Sequence, residues 1–310
     1  MKPPKPLGLF CRSIAVSSLL LFTLTGCDDG TDGVQGSPGI PGESISTTAS
    51  ELNFSVNSAE IGSPPIVKFN ITNENGVPFK GIGDTDLRFN IAKLITGVDG
   101  NPSRWQNYIV GARNGSNSGS QERNRGRDSD IWGELINHGD GSYTYTFETD
   151  VTAAACPAPC TDADGNALDV SYNPALTHRI SIQQGNSALP VVNAIYDFVP
   201  NGSPITSQRE ITKTENCNVC HDKITAHGSR FEIKLCVTCH NPGTWNATGN
   251  TTADLPVMIH KIHRGADLPS VLAGGTYAVG SHDFSDVKFP QDIRNCTKCH
   301  DGADAETPTG

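Results

Sequence analysis

Cysteine and histidine fall together three times in this chain, as Cys217-Asn-Val-Cys220-His221, Cys236-Val-Thr-Cys239-His240 and Cys296-Thr-Lys-Cys299-His300. Nothing else in the sequence restricts the fold as strongly. In C-x-x-C-H the two thiols add across the two vinyl groups of one porphyrin. The adjacent histidine then meets the iron on the same face. This is the attachment pattern of c-type haem. A zinc ribbon or a redox C-x-x-C also pairs its cysteines, but neither needs a histidine after every second one. The pentads use six of the ten cysteines. The sequence therefore implies three covalent haem c groups. Their thioethers form at Cys217, Cys220, Cys236, Cys239, Cys296 and Cys299, and His221, His240 and His300 are the proximal iron ligands.

The remaining histidines decide the chemistry. Residues 206–310 hold four more, His227, His260, His263 and His282. Met1 leaves with any leader, so Met258 is the one competing thioether ligand. Bis-histidine irons are expected, without the potential-raising effect of methionine. His227 lies too close after His221 to wrap around the same porphyrin, so it is expected to serve a neighbouring haem. His260 and His263 are three residues apart, within about 60° of one another on a helix, and able to reach two haems. Asp254, Leu255 and Pro256 make a plausible start for that helix. His282 is the weaker distal candidate.

Residues 1–27 have the form of an export signal. Lys2, Lys5 and Arg12 precede an apolar run at 14–24 that is too short to span a membrane. The run ends in Leu24-Thr25-Gly26-Cys27, a lipobox-like site at which Cys27 would be lipidated. Asp28 leaves open retention at an inner membrane. Residues 28–47 follow as a tether, with Gly30, Gly33, Gly36, Gly39 and Gly42 in a collagen-like register. Five triplets suit a solvated spacer better than a stable triple helix.

Residues 48–205 are expected to form a β domain, a Greek-key sandwich or split barrel. Short β-branched or aromatic runs at 51–56, 66–71, 87–95, 108–111, 142–148, 179–183 and 191–198 are separated by Asn, Asp and Gly turns. The polar run 111–130, with Arg113, Arg123, Arg125 and Arg127, is expected to be a surface loop. Cys156 and Cys160 flank a proline-rich loop without a following histidine, and a disulfide is the first expectation in an exported chain. His138 and His178 are expected to be structural or surface residues, and the Asp162–Asn166 stretch a turn. Residues 206–310 then make a loop-rich, mainly α/coil haem domain. Hydrophobic residues are only 36% of the chain and aromatics 6%, which suits a core supplied partly by macrocycles. The formal charge of −10 gives no basic face for nucleic acid.

The leader, the β region and the segments CNVCHDKITAHGSRFEIKLCVTCHNP, MIHKIHRG and FPQDIRNCTKCHDG resemble the OmcA/MtrC-type outer-membrane decahaem c-type cytochromes. The resemblance implies a lipid-anchored cell-surface protein. Such a protein carries electrons to extracellular acceptors such as Fe(III) and Mn(IV) oxides or shuttles, with other multihaem cytochromes and a porin–cytochrome conduit as partners. This chain carries three of the family's haem sites. Two other functions fit parts of the sequence. A multihaem reductase of a small oxyanion needs an open iron position, which spare histidines argue against. A surface binding protein would work through its β domain.

Overall fold

The computed structural model describes residues 44–83, 87–98, 100–113, 116–124, 131–185 and 188–300. The leader, Cys27, most of the Gly-rich tether, Arg125 and Arg127 lie outside the described residues. Among the described residues no helix is long and apolar enough to cross a membrane.

The first half is built from antiparallel strands. β1 (Leu52–Glu60) and β2 (Ile66–Asn73) form a hairpin, as do β8 (Glu134–Asn137) and β9 (Ser142–Thr146), and the four assemble in the order β1-β2-β9-β8. A second sheet runs in the order β11-β10-β3-β4. It comprises β3 (Leu87–Ile95), β4 (Arg104–Asn107), β10 (His178–Gln184) and β11 (Val192–Phe198). The chain thus crosses from sheet to sheet in hairpin pairs, the connectivity of a sandwich.

Period-two alternation sets the core. Val67, Phe69 and Ile71 of β2 and Tyr143 and Tyr145 of β9 face Leu87, Phe89 and Ile91 of β3 and Ile180 and Ile182 of β10. Phe89 stacks on Tyr145 with ring centres 3.6 Å apart. Gly141, at φ +87°, makes the β8–β9 turn in a left-handed conformation, and a side chain there would strike Pro78. At one end of the core, His178 is fully buried: Nδ1 donates to the Leu176 carbonyl at 2.8 Å and Nε2 accepts from the Tyr108 hydroxyl at 2.8 Å. Burial, helped by nearby Lys93, lowers its pKa to about 4. His138 is exposed beside Thr144.

The described part of the run 111–130, residues 111–113 and 116–124, departs from the expected surface loop. β5 (Val110–Arg113) pairs with β6 (Ser116–Gly119), and β7 (Glu122–Arg123) pairs with β3. Glu122 is fully buried, and its carboxylate accepts from the amides of Glu148 and Thr149 at 2.8 Å and the Tyr145 hydroxyl at 3.0 Å. Three donors offset the cost of burying the charge. Cys156 and Cys160 are joined by a disulfide, with Cα atoms 5.4 Å apart. Asp162 closes a tight turn by accepting from the amides of Asp164 and Asn166.

After β11 the longest regular elements are short helices: α1 (Thr214–His221), α2 (Ile233–Cys239) and α3 (Leu255–Arg264). The outward face of the second sheet explains where they sit. Asn90, Arg179, Ser181 and Gln183 alternate with core residues and would suit solvent, yet all are buried. Groups of the helical part help to satisfy this face, alongside strand partners such as Asp197, whose carboxylate accepts from Arg179 at 2.7 Å. Arg179 donates to the Lys234 carbonyl, Asn107 to the Thr238 carbonyl at 2.6 Å, and Asn193 to the Ser229 carbonyl at 3.0 Å. Gly119 completes the fit, since a side chain there would collide with the backbone of Cys239.

Candidate haem-binding site

α1 carries Cys217 and Cys220 one turn apart and ends at His221. α2 carries Cys236 and Cys239, and His240 caps its C-terminus. The third pentad forms a single turn over Cys296–Lys298. Side chains fix the three relative to one another. The Thr214 hydroxyl, at the start of α1, donates to Glu232 at 3.0 Å and accepts from the Ile233 amide at 3.0 Å, joining the first turns of α1 and α2. Thr212 and Asn216 both donate to the Cys299 carbonyl. The first pentad therefore lies between the other two.

α3 begins as expected, with Asp254 at its N-cap and Pro256 in its first turn. Asp254 is held up at about 6 by burial, with Arg209 and Arg104 opposing that rise. His260 and His263 project from one side of α3 toward different partners. His227 is presented by a reversal in which it adopts φ +49° and Gly228 φ +81°, closed by the bridge between Ala226 and Arg230. The left-handed non-glycine residue costs about 1–2 kcal/mol.

The histidines meet in twos. His221 faces His263, His240 faces His227 and His300 faces His260, each pair with ring centres 6.0 Å apart. An imidazole nitrogen bonds a metal at about 2.0–2.1 Å and the ring centre lies about 1.1 Å behind it, so two imidazoles across one iron stand roughly 6.3 Å apart. All three pairs fit that span, and each joins one pentad histidine to one distal candidate. Four of the six rings also direct Nδ1 at a backbone carbonyl. His240 meets Ala253 at 2.8 Å, His260 meets Pro256 at 2.6 Å, His263 meets Ile259 at 2.9 Å and His300 meets Ile211 at 3.3 Å. A carbonyl can only accept, so Nδ1 carries the proton and Nε2 keeps its lone pair for iron.

Electrostatics agree with that use. Burial lowers the pKa of His227, to about 4, and of His240, favouring the neutral ring that ligates. Burial raises the thiols of Cys217, Cys239 and Cys299, and that of Cys236 to about 12. A redox C-x-x-C wants the opposite shift. Among the described residues no three His, Cys, Asp or Glu side chains converge as a zinc site requires.

His282 stands apart. It lies in a small exposed hairpin, and its recorded ring neighbour is Phe284, at 6.4 Å, rather than a histidine. Sequence reasoning missed the β-domain residues that back the second pentad: Asn90, which donates to Cys239 Sγ at 3.1 Å, and Ser181, 3.2 Å from the Thr238 hydroxyl.

Comparison with known proteins adds the following. Residues 53–204 match the OmcA-like N-terminal domain, and residues 209–310 match the family described as outer membrane cytochrome MtrC/MtrF-like, domains II/IV. The multiheme cytochrome MtrC of Shewanella baltica (strain OS185) is 28% identical over 273 residues, covering 83% of this chain and 37% of that protein. The crystal structure of the outer membrane decaheme cytochrome OmcA superposes with a TM-score of 0.66 at 23% identity, covering 86% of this chain and 42% of that one. At that identity the likeness concerns the fold. The crystal structure of MtrC from Shewanella baltica OS185 gives 0.56 at 26%, covering 84% and 36%. The chain spans less than half the length of each of these relatives.

Proposed function

Because the chain belongs to the OmcA/MtrC family of outer-membrane multihaem cytochromes, we propose that it is an electron-transfer protein with three covalent haem c groups, each closed by two histidines. The observation that carries this is the recurrence of one spacing, 6.0 Å, at three histidine pairs. Bound haem supplies a one-electron iron couple. The chain would supply the rest: thioether anchors and two neutral imidazoles per iron, on pentads tied to one another by side-chain hydrogen bonds.

The ligand sets are His221 with His263, His240 with His227, and His300 with His260. Hydrogen bonds from Thr212 and Asn216 to the third pentad, and the link from Thr214 to Glu232, support a spatial order that differs from the sequence order. A haem held by Cys217, Cys220, His221 and His263 would then lie between those held by the second and third pentads, and electrons entering at one flank would cross it to reach the other.

The wider role follows the family. Cys27 is the proposed lipid attachment point. The protein sits at the outer membrane facing outward and receives electrons from other multihaem cytochromes, with a porin–cytochrome conduit as the route across the membrane. It delivers them to extracellular acceptors such as Fe(III) or Mn(IV) oxides or soluble shuttles.

The test is to export the chain in a host with haem-maturation machinery, count haems by mass, and record reduced-minus-oxidised spectra with and without carbon monoxide. Three haems, all low-spin and slow to bind carbon monoxide, are expected. One haem or none overturns the reading, and rapid carbon monoxide binding by a reduced centre points to a reductase.

A further inference from the structure

The three sites are not equivalent in their surroundings, and the difference has one sign. The second pentad is pressed against the β domain. Cys239 is buried, whereas Cys220 of the first pentad is exposed and both cysteines of the third are only partly covered. Ferric haem with two neutral histidines carries one net positive charge at its core and ferrous haem carries none. Burial in a low-dielectric site therefore favours the ferrous form.

Asn90 acts in the same direction. Its amide nitrogen donates to the Ser120 carbonyl at 2.7 Å and to Cys239 Sγ at 3.1 Å, while its oxygen accepts from the Ser181 hydroxyl at 3.3 Å. The Ser120 carbonyl can only accept, so the amide cannot be reversed without losing that bond. A donor directed at the sulfur draws electron density away from the attached macrocycle. The sulfurs of Cys217 and Cys296 instead lie against the carbonyls of Lys213 and Arg294.

Arg230 supplies a third contribution. It stands three residues after His227, at the foot of the same reversal. Gln183 accepts from its Nε at 3.0 Å, and Gln121 accepts from its terminal nitrogen. The bridge from Ala226 to Arg230 closes the reversal that presents His227 to His240, so this fixed cation belongs to the second site. The first site has a carboxylate instead, Glu215, in the first turn of α1 two residues before Cys217. Glu232, bonded to the Thr214 hydroxyl where α1 and α2 begin, does not separate the two sites.

We propose that Arg230 and Asn90 make the haem carried by Cys236 and Cys239 the first of the three to accept an electron, so that reducing equivalents collect on the side of the β domain. The proposal rests on the ligand sets given above. One electron enters the iron, and no ligand or proton is exchanged.

Potential-resolved electron paramagnetic resonance of the fully matured chain tests it. Crossed imidazole planes leave two iron d orbitals nearly degenerate and give a strongly anisotropic low-spin signal, whereas near-parallel planes split them and give a rhombic one. The His221–His263 planes are crossed at 68°, and the other pairs lie at 19° and 24°. During reductive titration a rhombic signal is expected to disappear first. In Arg230→Gln that same step should shift by about tenfold in its ferrous-to-ferric ratio, about 59 mV for one electron, with the other two steps in place. Arg230→Lys should restore most of the shift, and Asn90→Leu should reproduce its direction. Disappearance of the anisotropic signal first, a first step indifferent to Arg230→Gln, or equal displacement of all three steps overturns the proposal. Fewer than three haems in the unmodified chain would instead defeat the reading beneath it.

Discussion

His221 and His263 stand 6.0 Å apart with their ring planes crossed at 68°, although 41 residues separate them in the chain. Their crossing sets this pair apart from the other two. His263→Ala should open that one iron, replacing the anisotropic low-spin signal with a high-spin one and creating a single carbon monoxide site. The two rhombic signals should persist. Resonance spectra with a carbon monoxide titration of the variant check this, and loss of a rhombic signal would reassign the pair.

His282 makes the complementary case. It is exposed and faces Phe284 rather than another histidine. His282→Ala should leave haem content, low-spin fraction and carbon monoxide response of this chain unchanged. A new high-spin fraction in its optical spectrum would place His282 among the ligands.

Phe89 lies at the centre of the sandwich, stacked on Tyr145 and edge-on to Phe147. Phe89→Ala should destabilise the β domain by about 3–5 kcal/mol through lost burial and the cavity left behind. Denaturant unfolding followed by far-ultraviolet circular dichroism measures it, and a cost near zero would mean the stack is not part of the cooperative core.

His178 gives the β domain an acid-sensitive element. Its folded pKa, about 4, is below the ordinary value of 6.5, chiefly because it is buried. Between those values the unfolded chain binds the proton and the folded chain does not. The contribution is whole above pH 6.5, declines as pH falls, and is lost near pH 4. Its size is of order 3 kcal/mol. Stability measured from pH 7 to pH 4 should fall less steeply in His178→Asn than in the parent. Equal slopes would show that His178 is not the titrating group.

Cys27→Ser should release the protein from membranes without changing its haem content. Fractionation of cells expressing the variant reads this out. Continued sedimentation with the membranes would remove Cys27 as the anchor.

The pentads and the α3 start at Asp254 and Pro256 were legible because each depends on spacing within a few residues. That His227 would meet another pentad's histidine was legible too, from the shortness of its connection to His221. Which of His260 and His263 meets which pentad was not, since both lie on one side of α3 and packing makes the choice. The strands within 111–124 were not legible because the polarity there is local, whereas the buried carboxylate of Glu122 is satisfied by amides of residues 148 and 149, far along the chain. The burial of Asn90, Arg179 and Ser181 was not legible either: Cys239, the Lys234 carbonyl and Thr238, which they meet, belong to α2, and no pattern within a strand announces what will cover it.

The proposed ligand pairs would also give an order of assembly. Along the chain His227 and His240 are 13 positions apart, His260 and His300 are 40, and His221 and His263 are 42. An iron held by each pair would close a loop, the shortest at roughly 1 kcal/mol less entropic cost than the longest. On the proposed ligand sets, the pair beside the β domain would have both of its histidines before α3 is made. The central pair would wait for His263 and the last for His300, so a chain interrupted before α3 would retain one complete ligand pair and one half-made.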